Sequence, residues 1–324
     1  MKKLKPSLPP QAALVADSPG VRSYGRVRRA EWLVLLGRAA MSRRGRIGLS
    51  ITLIVVVVAV IGPFVAPYSP TDFVTTPFSP PSAAHLLGGD VLGRDVFSRT
   101  LCGGWLLLLC AAAATAVGVL LGTGAGISAA YYRGWREGTI MRTVDVVLAF
   151  PQIVFALLLV SVVGPKLWLL VLAVAFSHAP QVARVVRSAA LDICEQDYVK
   201  TTELIRIPPR KIIFGEVLPN LVTPLMVETG LRLTYSIVII AGLSFIGFGL
   251  QPPVANWGLM LNENRIGAVV NPWAVVAPAL LIALLTVGAN TFTDAIARVS
   301  IGVDRPVAEE QLLEDLPAEV SDAP

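Results

Sequence analysis

The chain has 324 residues, 54% of them hydrophobic and 15% charged, with a mean hydropathy of +0.68. A soluble domain carries about 25% charged residues, so an ordinary soluble fold is excluded and lipid is the expected solvent. The formal net charge of +5 would suit nucleic acid only if the basic residues formed one patch, and instead they are dispersed between apolar runs.

Residues 1 to about 30 contain Pro6, Pro9, Pro10, Gly20 and scattered Arg without an apolar period, which predicts a flexible, retained extension rather than a cleaved leader. A hydrocarbon layer about 30 Å thick needs roughly 20 apolar residues per helix. Six runs meet that length: Ile47–Tyr68, Trp105–Ala130, Thr143–Val163, Leu167–Ala183, Leu221–Leu250 and Trp273–Ala295. The fourth is interrupted near its end by His178 and Pro180, and the fifth has length to spare for tilt or an interfacial continuation. The predicted organisation is a basic extension (1–46), a first span with its following loop (47–104), a core of spans (105–302) and an acidic, solvated tail (303–324).

Basic residues orient these spans. Eleven Lys and Arg precede Ile47, three lie between Tyr131 and Arg142, six between Arg184 and Glu216, and two follow Ala295. The other side receives only Arg94, Arg99, Lys166 and Arg265, so both termini are predicted to be cytoplasmic. The fourth run must then cross, because two basic loops on one side require an even number of crossings between them.

Between the first two runs, the Pro-rich stretch around Ala66–Pro70 and Ser79–Ser82 is too polar to span. The segment His85–Arg99 that follows carries three Gly at turns and charges of alternating sign. It predicts an ordered external loop capped into the next helix by Asp95 or Ser98. Cys102, Cys110 and Cys194 show neither a bridging pair nor a metal-ligand spacing. No phosphate-binding G-x-x-x-x-G-K-[ST], no H-E-x-x-H and no Cys cluster occurs, so no catalytic residue, metal or cofactor is predicted. Asp145 and Asp294 read as helix-end residues, and His178 as a polar group satisfied by a neighbouring helix. Glu228 and Arg232 stand four residues apart in an apolar stretch, where a charge costs roughly 2.5–3.5 kcal/mol. They are either a pair facing a water-filled translocation pathway or a mutually neutralising structural pair.

The stretch Asp197–Asn220 is polar yet helical in character. Asp197 is expected to cap a short helix on which Tyr198, Thr202 and Ile205 share a face, with Pro208–Pro209 ending it. This stretch resembles the signature cytoplasmic loop of binding-protein-dependent ABC importer permeases, which reads E-A-A, three residues, G, nine residues, then hydrophobic-L-P. The closest resemblance is to the dipeptide and oligopeptide permeases, in the subunit conventionally lettered C. It extends to Gly93-Arg94-Asp95 within His85–Arg99, to Asp145–Pro151, to Ala183–Arg187, and to Leu243–Gly249 with Gln251–Pro253 and Asn256–Gly258, covering about Glu31 to Gly302. Two positions depart from the pattern. Lys200-Thr201-Thr202 stands for E-A-A, which removes a capping-box carboxylate, and Arg206 stands for the loop glycine, so blunt termination at Pro208–Pro209 is expected.

The resemblance implies an all-α integral membrane protein with six transmembrane helices of the type I ABC importer permease fold. Its short cytoplasmic coupling helix would use Tyr198, Lys200, Thr201, Thr202, Leu204, Ile205, Arg206, Phe214, Leu218 and Pro219. It further implies a translocation pathway for dipeptides or oligopeptides in a bacterial inner membrane, and as partners a paralogous permease, two cytoplasmic ABC ATPase subunits and an extracytoplasmic solute-binding protein. Related systems carry nickel chelates or glutathione. An ion-coupled secondary transporter, the main rival, should show an inverted repeat, and none is visible. Cysteine labelling tests the orientation: reagents confined to the outside should reach positions 82 and 262, and reagents admitted to the inside should be required for 136 and 211. Reversal at any of the four positions sinks the six-span arrangement.

Overall fold

The computed structural model describes residues 31–302, and the expected flexible extension and the acidic tail lie outside them. Thirteen α-helices occur among the described residues: α1 (Glu31–Met41), α2 (Arg43–Val65), α3 (Val96–Cys102), α4 (Trp105–Tyr132), α5 (Gly134–Leu148), α6 (Gln152–Val163), α7 (Leu167–Cys194), α8 (Asp197–Leu204), α9 (Pro209–Ile212), α10 (Leu218–Asn220), α11 (Val222–Ile246), α12 (Trp257–Asn264) and α13 (Trp273–Ile301). Helices α2, α4, α7, α11 and α13 are each long and apolar enough to cross a membrane, in keeping with the all-α expectation.

Three predicted spans differ from the observed helices. The run Thr143–Val163 is not one helix, because α5 and α6 meet at 81° around Ala149, Phe150 and Pro151. Pro151 disfavours helical backbone at Phe150 and has no N–H to continue the ladder. The pair makes a sixth crossing only if taken as one bent span. The fourth run does not stop at Ala183: α7 continues through Pro180 to Cys194, with His178, Pro180 and Val186 all buried against neighbours. The fifth ends at Ile246 rather than Leu250, where Gly247 takes a left-handed φ of 95° and the Phe248 N–H bonds the Leu243 carbonyl.

The long helices pack as a row in which α4 touches α7 and α11, α11 touches α13, and α13 touches α2. Small residues set the closest of these contacts. Gly118, Gly122 and Gly126 recur every fourth residue of α4, and a Cβ on each would stand 2.9, 2.5 and 2.7 Å from the carbonyl oxygens of Ala175, Ala179 and Ala183. Lipid tails are as apolar as leucine, so such close van der Waals approach, rather than hydrophobic transfer, holds the two helices together. Gly48 of α2 lies as close to the backbone of α13.

Two buried clusters divide the core. One joins Val55, Leu107, Leu170, Ile237, Trp257 and Leu285 near the end where α12 sits. The other joins Ile127, Val186, Val199, Ile212, Val217 and Leu221, beneath α8–α10. Outside them, Phe64 and Leu120 are largely exposed, as side chains meeting lipid should be.

Gly122→Ala should lower the thermal midpoint of the detergent-purified chain, since the added methyl meets Ala179 backbone and overpacking costs about 1–3 kcal/mol. Gly124→Ala, whose Cβ meets nothing within 4 Å, should leave the midpoint unchanged or raise it slightly. Equal midpoints for the two variants would refute the packing account.

Candidate functional site

The stretch after α7 folds as a compact platform. Helix α8 starts with Gln196 as its cap and no side-chain bond, so Asp197 is the first helical residue and not the cap expected from the sequence. Its carboxylate still favours the positive helix N-terminus. The other end of α8 also differs from expectation. Arg206 itself adopts the left-handed conformation, with φ 59°. Its N–H bonds the Glu203 carbonyl at 2.9 Å, and the Ile207 N–H reaches back to Thr202 at 3.1 Å. This is the same hydrogen-bonded ending that Gly247 makes on α11, built here without glycine at a strain of about 1–2 kcal/mol. Pro208 and Pro209 start α9 rather than end α8.

After α9 the chain widens into a π-helical turn, Ile213–Val217, in which the Leu218 N–H bonds Ile213. The next residue, Pro219, has no N–H for the preceding turn, and the wider turn accommodates it. Val199, Ile212 and Val217 anchor this platform in the lower core.

The expected shared face of Tyr198, Thr202 and Ile205 is split. Tyr198 is half-buried and accepts a hydrogen bond from Asn220 Nδ2 at 3.3 Å, and Thr202 Oγ1 bonds the Val199 carbonyl at 2.6 Å. Burial, with Glu216 next in effect, raises the Tyr198 phenol above its ordinary value and keeps it neutral. Lys200, Thr201 and Arg206 are exposed, and Leu218 and Pro219 half-buried. The apolar groups turned outward are Leu204, Ile205 and Phe214, exposed by 82%, 67% and 67%.

Glu228 and Arg232, about two and three turns into α11, are both buried, and Arg232 Nε lies 2.8 Å from Glu228 Oε1. Arg232 also donates to Gln181 Oε1 of α7 and lies over the Tyr235 ring, 5.3 Å from its centroid. Gln181 in turn lines a small cavity with Gln152, Phe155 and Ser177, next to the α5–α6 break. A second polar link lies deeper: His178 Nε2 is 3.0 Å from Ser236 Oγ, which is 3.0 Å from Thr115 Oγ1, joining α7, α11 and α4. His178 thus meets a neighbouring helix through Nε2, as expected, while its buried Nδ1 has no partner among the described residues.

At the far end of α11, its 25 residues or about 37 Å away, the segment around Gly93-Arg94-Asp95 is locked onto α12. Gly93 has φ 77°, and a Cβ there would stand 2.2 Å from the Thr75 carbonyl. Arg94 Nε bonds Asp90 Oδ2 at 2.6 Å, while Arg94 and Arg99 converge on Glu263 Oε2 at 3.0 and 2.7 Å. The four groups are nearly fully buried and sum to zero charge. Asp95 caps α3 by accepting from the Ser98 N–H at 2.8 Å, and its other oxygen lies 3.1 Å from His85 Nδ1. Ser98, the other capping candidate, is the residue that donates. Asn271 Nδ2 donates to the Leu87 and Gly89 carbonyls, and Asn264 Oδ1 accepts from the Val91 N–H. Glu263, Asn264 and Asn271 were not legible as partners, because they lie more than 160 residues along the chain from the groups they bind. Among the described residues no cluster of His, Cys, Asp and Glu is arranged to hold a metal ion.

Residues 93–300 match the model of the family described as "Binding-protein-dependent transport system inner membrane component". The chain belongs to this family. It is a multi-pass inner-membrane permease subunit, and an ion-coupled secondary transporter is set aside. A glutathione transport system permease protein of Pectobacterium atrosepticum is 38% identical over 67% of this chain and 72% of its own length. A Brucella suis protein named as a permease of a peptide transport system is 35% identical over 82% of this chain and 90% of its own. Among solved structures, an inward-facing methionine ABC transporter, MetNI, superposes with a TM-score of 0.48 at 18% identity, over 61% of this chain and 96% of that one.

The Glu228–Arg232 pair permits a direct measurement. Glu228→Gln or Arg232→Gln alone should each destabilise the purified permease by about 3 kcal/mol, because a buried charge is left without its partner. The double variant should lose less than the sum. A double variant that folds normally yet abolishes uptake would assign the pair to the pathway rather than to stability.

Proposed function

We propose that this permease is one of two paralogous subunits that together form the translocation pathway of an ATP-driven importer, with both termini cytoplasmic. Its solute is a dipeptide, an oligopeptide or a peptide-like molecule such as glutathione. The relatives named for peptide and glutathione transport support this class. Two separate ATPase subunits supply the energy and an extracytoplasmic binding protein delivers the solute, roles implied by family membership.

One observation carries the coupling assignment: Leu204, Ile205 and Phe214 project outward from a platform whose inner face is fixed in the lower core. Apolar side chains presented from a polar segment at the end of a helix bundle suit a protein groove. The ATPase contact is therefore made by Leu204, Ile205 and Phe214. Tyr198, Thr202, Leu218 and Pro219 hold the platform in place, while Lys200, Thr201 and Arg206 border the contact.

The α5–α6 break supports a second permease. Ala149, Phe150 and Pro151 are exposed on the isolated subunit, yet irregular backbone does not face lipid at hydrocarbon depth. A second subunit and the aqueous path between the two account for that exposure. Gln152 and Gln181 lie beside the break and line the approach to the path, with the Glu228–Arg232 pair joined to them through Gln181.

Ile205→Asp tests the coupling role. Ile205 is already 67% exposed, so the substitution should leave membrane insertion and pairing with the second permease intact. Buried against an ATPase, the same carboxylate would cost several kcal/mol. ATPase co-purification should weaken and solute uptake stop. Full ATPase retention with normal uptake would remove this helix from the coupling contact.

A further inference from the structure

Helix α1 and the start of α2 carry a surface that the transport function does not use. Ser42 separates the two helices, bonding Ala39 and Gly45 through its hydroxyl, and Gly45 lies so close to Ala39 that any side chain there would clash. This elbow turns Leu35, Leu36 and Ala39 toward the bundle, where α1 packs on α13 and α2. Trp32, Leu33 and Val34 are left exposed by 42%, 55% and 51%, and Arg38 is exposed as well.

Immediately beyond the elbow stand Arg43, Arg44 and Arg46, all exposed, with no acidic residue in the first turn of α2. Among the described residues none of Arg38, Arg43, Arg44 and Arg46 belongs to an ion pair. At the opposite end of the bundle, Arg94 and Arg99 are buried and neutralised by Asp90 and Glu263. Ile47–Val65 is an uncharged, largely apolar run whose helical rise is about 28 Å, close to the hydrocarbon thickness. The three arginines therefore stand at headgroup depth. A shallow groove of about 480 Å³, largely open to the outside and lined by one flank of α2 alone, runs down from them, from Arg43 and Arg46 to Ile47, Ser50 and Ile51. Ile47 and Ile54, on the same helical face, are exposed by 53% and 63%.

We propose that this groove holds an anionic phospholipid, its phosphate between Arg43 and Arg46 and an acyl chain along Ile47, Ile51 and Ile54. Trp32, Leu33 and Val34 rest in the interfacial layer beside it. A basic mouth above an apolar wall matches an acidic lipid in both charge and hydrophobicity. Each arginine near an anionic surface contributes roughly fivefold in affinity at low salt.

Native mass spectrometry of the full chain, purified in uncharged detergent and offered equimolar phosphatidylglycerol and phosphatidylcholine, reads this directly. Phosphatidylglycerol should be retained in preference by about tenfold. Arg43→Gln with Arg46→Gln should bring the ratio near one, while Arg43→Lys with Arg46→Lys keeps the charge and should hold the preference. Equal retention of both lipids by the unaltered chain, or an unchanged ratio in the Gln pair, would overturn the proposal. Loss of the preference in both variants would show that charge at these two positions does not set it and would also overturn the proposal. Displacement of the lipid by inorganic phosphate would identify a simple anion site instead. Preference seen only after removal of residues 303–324 would assign the groove to the acidic tail.

Discussion

At hydrocarbon depth every backbone N–H and C=O must find its partner within the protein, and the rest of this fold answers to that requirement. Five long helices satisfy it along their length, through proline where necessary: Pro180 sits inside α7 with neighbours packed around it. The backbone departs from the regular helix at identifiable places. The α5–α6 break at Ala149–Pro151 adjoins the polar side chains Gln152 and Gln181. The π-helical turn before Pro219 lies in the platform between α7 and α11, over the lower core. The extended segment 66–95 is stitched by its own hydrogen bonds and by Asn264 and Asn271. Irregular backbone thus coincides with the parts on which a transport cycle would act.

Helix α11 links these parts. Its first residues adjoin the platform, its buried Glu228–Arg232 pair reaches Gln181 on α7, its Ser236 joins His178 and Thr115, and its end leads to α12 and the charge clamp at Glu263. The Glu228–Arg232 pair, the Arg232–Gln181 bond and the Ser236 contacts with His178 and Thr115 tie α11 to α7 and α4, and buried polar links of this kind are costly to break. On its flank, α4 and α7 approach closely enough that Gly118, Gly122 and Gly126 admit no side chain. Packing this close leaves little room for the two helices to shift against each other.

Much of this was readable from residue types. Runs of about twenty apolar residues predicted the long helices. The polar stretch Asp197–Asn220 predicted a short helix, and alternating charge in His85–Arg99 predicted an ordered, capped loop. What misled were local signals read without their surroundings. Pro180 suggested an end that packing overrides. Arg206 suggested the loss of a left-handed helix end, which the chain forms regardless at the cost of strain. The heptapeptide Thr143–Ala149 was apolar enough to read as the start of a span, although Pro151 breaks the helix after it.

Composition, span length and the distribution of Lys and Arg by themselves determined that this is a multi-pass helical membrane protein, since insertion into lipid depends on segment hydrophobicity and flanking charge alone. Tertiary structure decided which side chains are available to act. It turned Leu204, Ile205 and Phe214 outward and Tyr198 and Thr202 inward, because Val199, Ile212 and Val217 bury the platform's other face. It also paired Arg94 and Arg99 with Glu263, a contact across about 165 residues of chain that no local pattern encodes, because only the packing of α12 against α11 and α13 brings that carboxylate to the loop.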